Sequence, residues 1–413
     1  MTALLHQRNY ALLWYGQLIS QIGNWALLAA LPFFVFQQTG SVLATGIMFF
    51  VEVIPSILFG SVAGVFVDRW NRRRTMIASN ILRGLLLLLL TLPSPEQLWV
   101  VYGVAFFASL ANIFFGPANN ALLPELISKD RLVTANSLDA LGENVARIVG
   151  PALGGALLAA NGMPAVALID AATYLIGAGL IFLIREPAIT AVDTRIITTN
   201  RPLKTHWVEF WKQWIVGLQL VKDHRPLSFA FIAIGIALIG DSIMGVLLVV
   251  FVQDIIGAGA QEFGWIITAR GVGGVIGGLV IARVGPRFQP QNLLAFGMAG
   301  AGALLLLMLQ IPTLPIIYII VILVGFPVMA LMIAGQTWLQ VHSQDQYRGR
   351  VFGAFETYGA IMGLLGTGFA TLAGEAIGVL FSLYAAGLLF VSAGILAYLL
   401  LRPRFLYQSE EEN

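Results

Sequence analysis

The chain contains no cysteine, little charge and only four histidines among its 413 residues. The lack of cysteine excludes disulfides and thiolate metal sites. Asp, Glu, Lys and Arg make up 11% of the residues, whereas a soluble domain carries about 25%. So few charges cannot cover a hydrated surface, and the 58% hydrophobic content points to an integral membrane protein. His6, His206, His224 and His342 stand far apart in or beside cytoplasmic segments, and no serine, histidine and acid cluster offers nucleophilic chemistry, so neither enzymatic nor metal chemistry is expected. No Gly-x-x-x-x-Gly-Lys-[Ser/Thr] loop occurs to hold a nucleotide. No aromatic-interleaved basic patch suits a nucleic acid, and the net charge of +2 favours no partner. Met1–Arg8 runs directly into a long apolar segment, so no cleavable leader is expected.

Long apolar runs are what the chain does have. Twelve are long enough to cross ~30 Å of hydrocarbon, near 10–36, 44–67, 75–93, 98–123, 138–159, 165–184, 227–252, 262–283, 291–310, 315–341, 350–373 and 376–401. The 44 glycines suit the close contacts of membrane helices. Every second connection is short and free of Lys and Arg, and nearly all basic residues lie in the termini and the other connections. Positive charge marks the cytoplasmic side, so both termini and the long central loop are expected inside. The expected organisation is an all-α membrane protein with bundles at 1–184 and 227–413, joined by a cytoplasmic linker at 185–226. In that linker Trp207, Phe210, Trp211, Trp214, Ile215 and Leu218 recur at helical spacing. They predict an amphipathic helix on the inner membrane surface, either anchoring the two halves or binding a partner.

Between the second and third runs lies Gly64-Val65-Phe66-Val67-Asp68-Arg69-Trp70-Asn71-Arg72-Arg73-Arg74. One acid and four arginines in seven residues must form a short aqueous loop. The pattern resembles the loop 2–3 signature of the major facilitator superfamily, with Asn71 where the family usually has glycine. A looser copy, Gly278-Leu279-Val280-Ile281-Ala282-Arg283-Val284-Gly285-Pro286-Arg287, suggests two homologous halves. Gly150, Pro151, Gly154 and Gly155 in the fifth run resemble the antiporter motif of drug-exporting facilitators. Leu123-Pro124-Glu125-Leu126, Ala135-Asn136-Ser137-Leu138 and Arg348-Gly349-Arg350-Val351-Phe352-Gly353 look like the branch holding macrolide-efflux proteins and the enterobactin exporter. The resemblance implies twelve helices in two pseudo-symmetric six-helix bundles (the major facilitator fold) and alternating access. It also implies export across a bacterial inner membrane. The fourth run has no arginine, unlike the drug:proton antiporters that place one there, which leaves the coupling mechanism open.

Polar side chains inside the runs mark the expected solute path, because lipid offers them no partner. Gln17, Ser20, Gln21 and Asn24 share one helical face, as do Ser109, Asn112, Gly116, Asn119 and Asn120. At one common offset Asn119 aligns with Gln336 and Asn24 with Asp241. By the resemblance, the first, fourth, seventh and tenth helices surround the cavity. Gln17, Gln21, Asn24, Asn112, Asn119, Asp241, Gln336 and Gln340 are therefore the expected lining. An amide-rich, weakly charged cavity with nearby phenylalanines and methionines suits a small lipophilic solute.

Charge inside the membrane requires a reason. Asp241 has no basic residue within a helical turn and is a candidate for proton exchange, or else a capped acid bonded to a neighbour. Glu52 is a second proton candidate; it and Arg270 either form an outer gate or find separate partners. Asp68, Arg69, Arg72, Arg83, Asp139, Glu143, Arg147 and Glu356 read as a cytoplasmic latch, with a proton relay as the alternative. The expected function is a proton-coupled exporter of lipophilic, macrolide-like compounds, acting as a monomer in the bilayer without cofactor or metal. Alternatives are export of a lysophospholipid, siderophore or other metabolite, and a non-transporting receptor.

Overall fold

The computed structural model describes residues 2–67, 69–92, 97–185 and 214–401. Every element among them is helical. The first half comprises α1 (Arg8–Thr39), α2 (Val42–Val67), α3 (Arg72–Leu88, extended by a tight turn to Thr91), α4 (Leu98–Leu126) and α5 (Leu132–Phe182). The second comprises α6 (Arg225–Val250), α7 (Ala260–Val284), α8 (Pro290–Gln310), α9 (Leu314–His342), α10 (Arg348–Ala376) and α11 (Val379–Leu400). Asn71 caps α3 by accepting from the backbone N–H of Arg74 at 2.9 Å. That is a use for the residue at which the loop motif departs from glycine.

Ten helices among the described residues are long and apolar enough to cross a membrane. The count differs from the twelve runs of the sequence for two reasons. The fifth and sixth runs merge into one helical stretch, broken only at Gly162, whose φ of +74° suits glycine because no Cβ resists the left-handed region. The stretch has two arms, Leu132–Asn161 and Met163–Phe182. The eleventh run, α10, is long, but it is not among the ten. Many large apolar side chains face outward, Phe182, Leu279, Phe296, Phe381 and Leu388 among them, as lipid-facing helices require.

The chain divides into two compact units. The first holds residues 1–38 and 51–210, and the second holds 39–50 and 211–413. The division cuts α2 rather than a loop, which the sequence pattern did not suggest. Within the second unit, the Leu43 N–H donates to Glu375 Oε2 at 3.2 Å. The first unit packs around Tyr10, Leu13, Met76, Ala118, Leu122, Leu138 and Ile181. The second packs around Ala233, Ile234, Met298, Ala334, Trp338 and Phe390. Trp214, Ile215 and Leu218 of the amphipathic segment are helical, and Gly217 seats that helix against the Arg350 carbonyl and Ala354. Trp207, Phe210 and Trp211 lie outside the described residues.

Candidate functional site

In the first unit the polar stripes of α1 and α4 meet: Gln17 Nε2 donates to Asn119 Oδ1. Gln17 is buried, Gln21 and Asn119 are half-buried, and Asn24 and Asn112 are exposed. Gly150 and Gly154 on the first arm of α5 set the position of α1. A Cβ on Gly150 would lie 2.7 Å from the Ile22 carbonyl oxygen, and one on Gly154 would strike the Ala26 carbonyl. The antiporter-like motif is therefore a helix-packing seam against α1, with Pro151 and Gly155 buried beside it.

Arg83, grouped with the inner latch by sequence, is instead enclosed within this unit at 6% exposure. Its Nη1 donates to Asn112 Oδ1 at 2.8 Å and to the Tyr174 hydroxyl at 3.2 Å, and its Nη2 donates to Asn80 Oδ1 at 2.8 Å. The guanidinium lies 4.2 Å from the Tyr174 ring centre and 5.1 Å from that of Phe115. The Tyr174 hydroxyl donates onward to Asn24 Oδ1 at 3.1 Å. A continuous set of hydrogen bonds thus links Asn112 on α4, Arg83 on α3, Tyr174 on the second arm of α5 and Asn24 on α1. Asn80, Tyr174 and the nearby Asp170 were not read from the sequence as site residues. Asp170 is the only charged residue between Pro164 and Arg185, and that isolation was the available signal.

The other latch residues have separate partners. Arg72 pairs with Glu125 at 2.8 Å, and Glu143 pairs with Arg147 at 3.1 Å, in the i, i+4 register expected. Arg147 also lies 5.0 Å from the Trp25 ring centre. Asp139 accepts a 3.4 Å bond from the Tyr10 hydroxyl. Arg69 and Glu356 are exposed, and Asp68 lies outside the described residues. Glu52 is half-buried, and its backbone carbonyl accepts from Ser109 Oγ at 2.6 Å.

In the second unit Asp241 is ion-paired. Arg270 Nη2 lies 2.9 Å from its Oδ1, and the two side chains are 35% and 48% exposed for Arg and Asp. The cation comes from α7, the next helix, which explains why a search within one turn of α6 found none. Beside the pair is a cavity of about 20 Å³ lined by Met244, Met308, Val324 and Phe390, room for about one water. Gln336 and Gln340 on α9 are exposed. No group of His, Cys, Asp or Glu able to hold a metal ion occurs among the described residues.

A family model described as "Transmembrane secretion effector" matches residues 1–411. The chain belongs to this family of major facilitator transporters. The facilitator is 28% identical over 405 residues to the MFS-type transporter YfiS of Bacillus subtilis (strain 168), covering 95% of this chain and 93% of YfiS. It is 26% identical over 410 residues to the multidrug efflux pump Tap of Mycolicibacterium fortuitum, covering 95% and 96%. A shorter match, 27% over 180 residues, reaches 43% of this chain and 44% of macrolide efflux protein A of Streptococcus pyogenes. Among solved structures, a bacterial homologue of the iron transporter ferroportin in an inward-facing state superimposes with a TM-score of 0.78. That match has 14% identity and covers 96% of this chain and 99% of the other; at such identity it speaks to fold alone. The facilitator is thus a multi-pass membrane transporter and not an enzyme.

Proposed function

We propose that this facilitator exports lipophilic compounds by alternating access, driven by protons, from a bacterial cytoplasm. The observation that carries the reading is the set of polar side chains held within apolar helices. On α1 and α4 these are Gln17, Gln21, Asn24, Asn112 and Asn119; on α6 and α9 they are Asp241, Gln336 and Gln340. Few charges and many amides suit a solute bound through dispersion and a few hydrogen bonds. The full-length likeness to Tap supports export of drug-like compounds. The two arms of α5, together with α10, support counting twelve spans in two six-helix bundles, with both termini inside. We assign the chain to the inner membrane as a working monomer.

Within this reading Asp241 and Arg270 belong to the solute path. A cationic or hydrogen-bonding solute competes for a carboxylate that already has a partner. The loop containing Asp68, Arg69 and Arg72, with Glu143 and Arg147, closes the cytoplasmic side. The test is respiration-driven uptake of a fluorescent lipophilic cation by inverted vesicles containing the protein. Uptake above control vesicles, collapsed by a protonophore, is the expected result. Uptake equal to control for dyes and macrolides alike would remove drug export and move lipid or metabolite solutes to the front.

A further inference from the structure

Asp170 is 1% exposed in the middle of the second arm of α5. Thr173 Oγ1 donates to its Oδ1 at 3.1 Å and to its carbonyl oxygen at 2.7 Å. Its other carboxyl oxygen, Oδ2, is buried with no hydrogen-bond partner among the described residues, as are Arg83 Nε and Asn80 Nδ2. Three orphaned polar atoms on Asp170, Arg83 and Asn80 are unusual in one unit, where buried polar groups are nearly always paired. Asp170 and the Arg83 guanidinium are within electrostatic range of each other, and so are Glu52 and Tyr174.

The charge count of this interior has a consequence. The ionisable group facing Asp170 is Arg83 from α3, while Tyr174 has Arg83, Asp170 and, from α2, Glu52 in range. From α1 and α4 two neutral side chains, Asn24 and Asn112, accept hydrogen bonds of the network. The set around Tyr174 therefore contains two carboxyls and one guanidinium, whose charge cannot be lost. The group is electroneutral only when one of the two acids holds a proton. Full ionisation leaves a net negative charge in a poorly hydrated interior, which is costly.

We propose that Asp170 is the proton-carrying carboxyl of this transporter, in a set of two acids and one guanidinium around Tyr174. Proton binding converts the Asp170 carboxylate to a carboxylic acid, so no other bond changes and the proton leaves as it came, to the aqueous phase. Its link to the solute path is steric as well as electrostatic. Gly23 of α1 presses on Asp170 so closely that a methyl group there would fall on Asp170 Oδ1 and Thr173 Oγ1. The next residue, Asn24, accepts from Tyr174 and lies on the amide face with Gln17 and Gln21. Taking up or losing a proton alters what α1 rests on, and through Arg83 it alters the charge beside Asn112.

The inference rests on the export reading, and the experiment separates the two. Wild type, Asp170→Asn, Asp170→Glu and Glu52→Gln are reconstituted in proteoliposomes with tetraphenylphosphonium as the probe. Two rates are measured: accumulation driven by an imposed pH gradient, and counterflow, which exchanges labelled for unlabelled probe without a gradient. Asp170→Asn should lose at least tenfold in gradient-driven accumulation and keep counterflow within about twofold. Asp170→Glu should recover part of the driven rate. Wild type without driven accumulation sinks the export reading itself. Driven wild-type accumulation that survives in Asp170→Asn overturns the inference, all the more if Glu52→Gln abolishes it. Loss of driven accumulation and counterflow together in Asp170→Asn also overturns it, since the carboxyl would then serve transport in general.

Discussion

Each half of the molecule contains a buried or half-buried arginine, and the two are handled differently. Arg270 faces a single acid, Asp241, at 2.9 Å, and both side chains are partly exposed. That pair is neutral and self-contained. Arg83 is enclosed, spreads its donors over Asn80, Asn112 and Tyr174, and belongs with two acids, Asp170 and Glu52, to the set around Tyr174. A matched pair has no need of a proton, whereas an unmatched set does. Under our proposal, solute contact belongs to the C-terminal pair and proton exchange to the N-terminal network.

The sharpest way to break this contrast is to remove each cation in turn. Arg83→Met should destabilise the detergent-solubilised protein by about 3–5 kcal/mol, because it leaves the buried Asp170 and Asn80 without their cation. Arg270→Met should cost ~1 kcal/mol or less, since exposed pairs contribute little. Thermal melting of the two variants side by side checks both, and equal shifts would erase the distinction. Next in size is Gly23→Ala, which should cost about 1–3 kcal/mol through overpacking. It should also slow driven transport more than a matched change at Gly103, where a Cβ meets nothing within 4 Å.

The smallest effect belongs to His224, at the start of α6 and outside the membrane spans. Burial, and then the charge of His342, whose ring centre is 6.1 Å away, hold its pKa below the ordinary value. The folded state then binds a proton less readily than the unfolded chain, so this group lowers stability as pH falls below about 6.5. Melting temperatures measured between pH 7.5 and 5.5 should fall less steeply for His224→Gln than for wild type. Identical slopes would show that the histidine pair has no influence on stability.

Much of the architecture was legible because a bilayer imposes a one-dimensional rule: long apolar runs, with basic residues between alternate pairs. The amide stripes were legible for the same reason, as Gln17 and Asn119 illustrate by bonding across α1 and α4. Partners from sequence-distant helices were not. Arg83 reads as an inner-loop residue until Asn112 and Tyr174 are seen around it, and Asp241 reads as solitary until α7 supplies Arg270. The merging of the fifth and sixth runs hinges on one glycine, Gly162, because a five-residue connection at 160–164 can stay helical on both sides of a single left-handed residue. Asp170 carries no motif at all. Only its isolation, and the orphaned atoms around it, mark it out.

The central claim is that the proton sits in the N-terminal half. Its most direct test is proton release on solute binding, measured with a pH indicator in weakly buffered detergent solution of the purified protein. The account predicts release from wild type and from Asp241→Asn, and none from Asp170→Asn at saturating solute. Release that persists in Asp170→Asn and vanishes in Asp241→Asn would contradict it, and would return the coupling site to the C-terminal half.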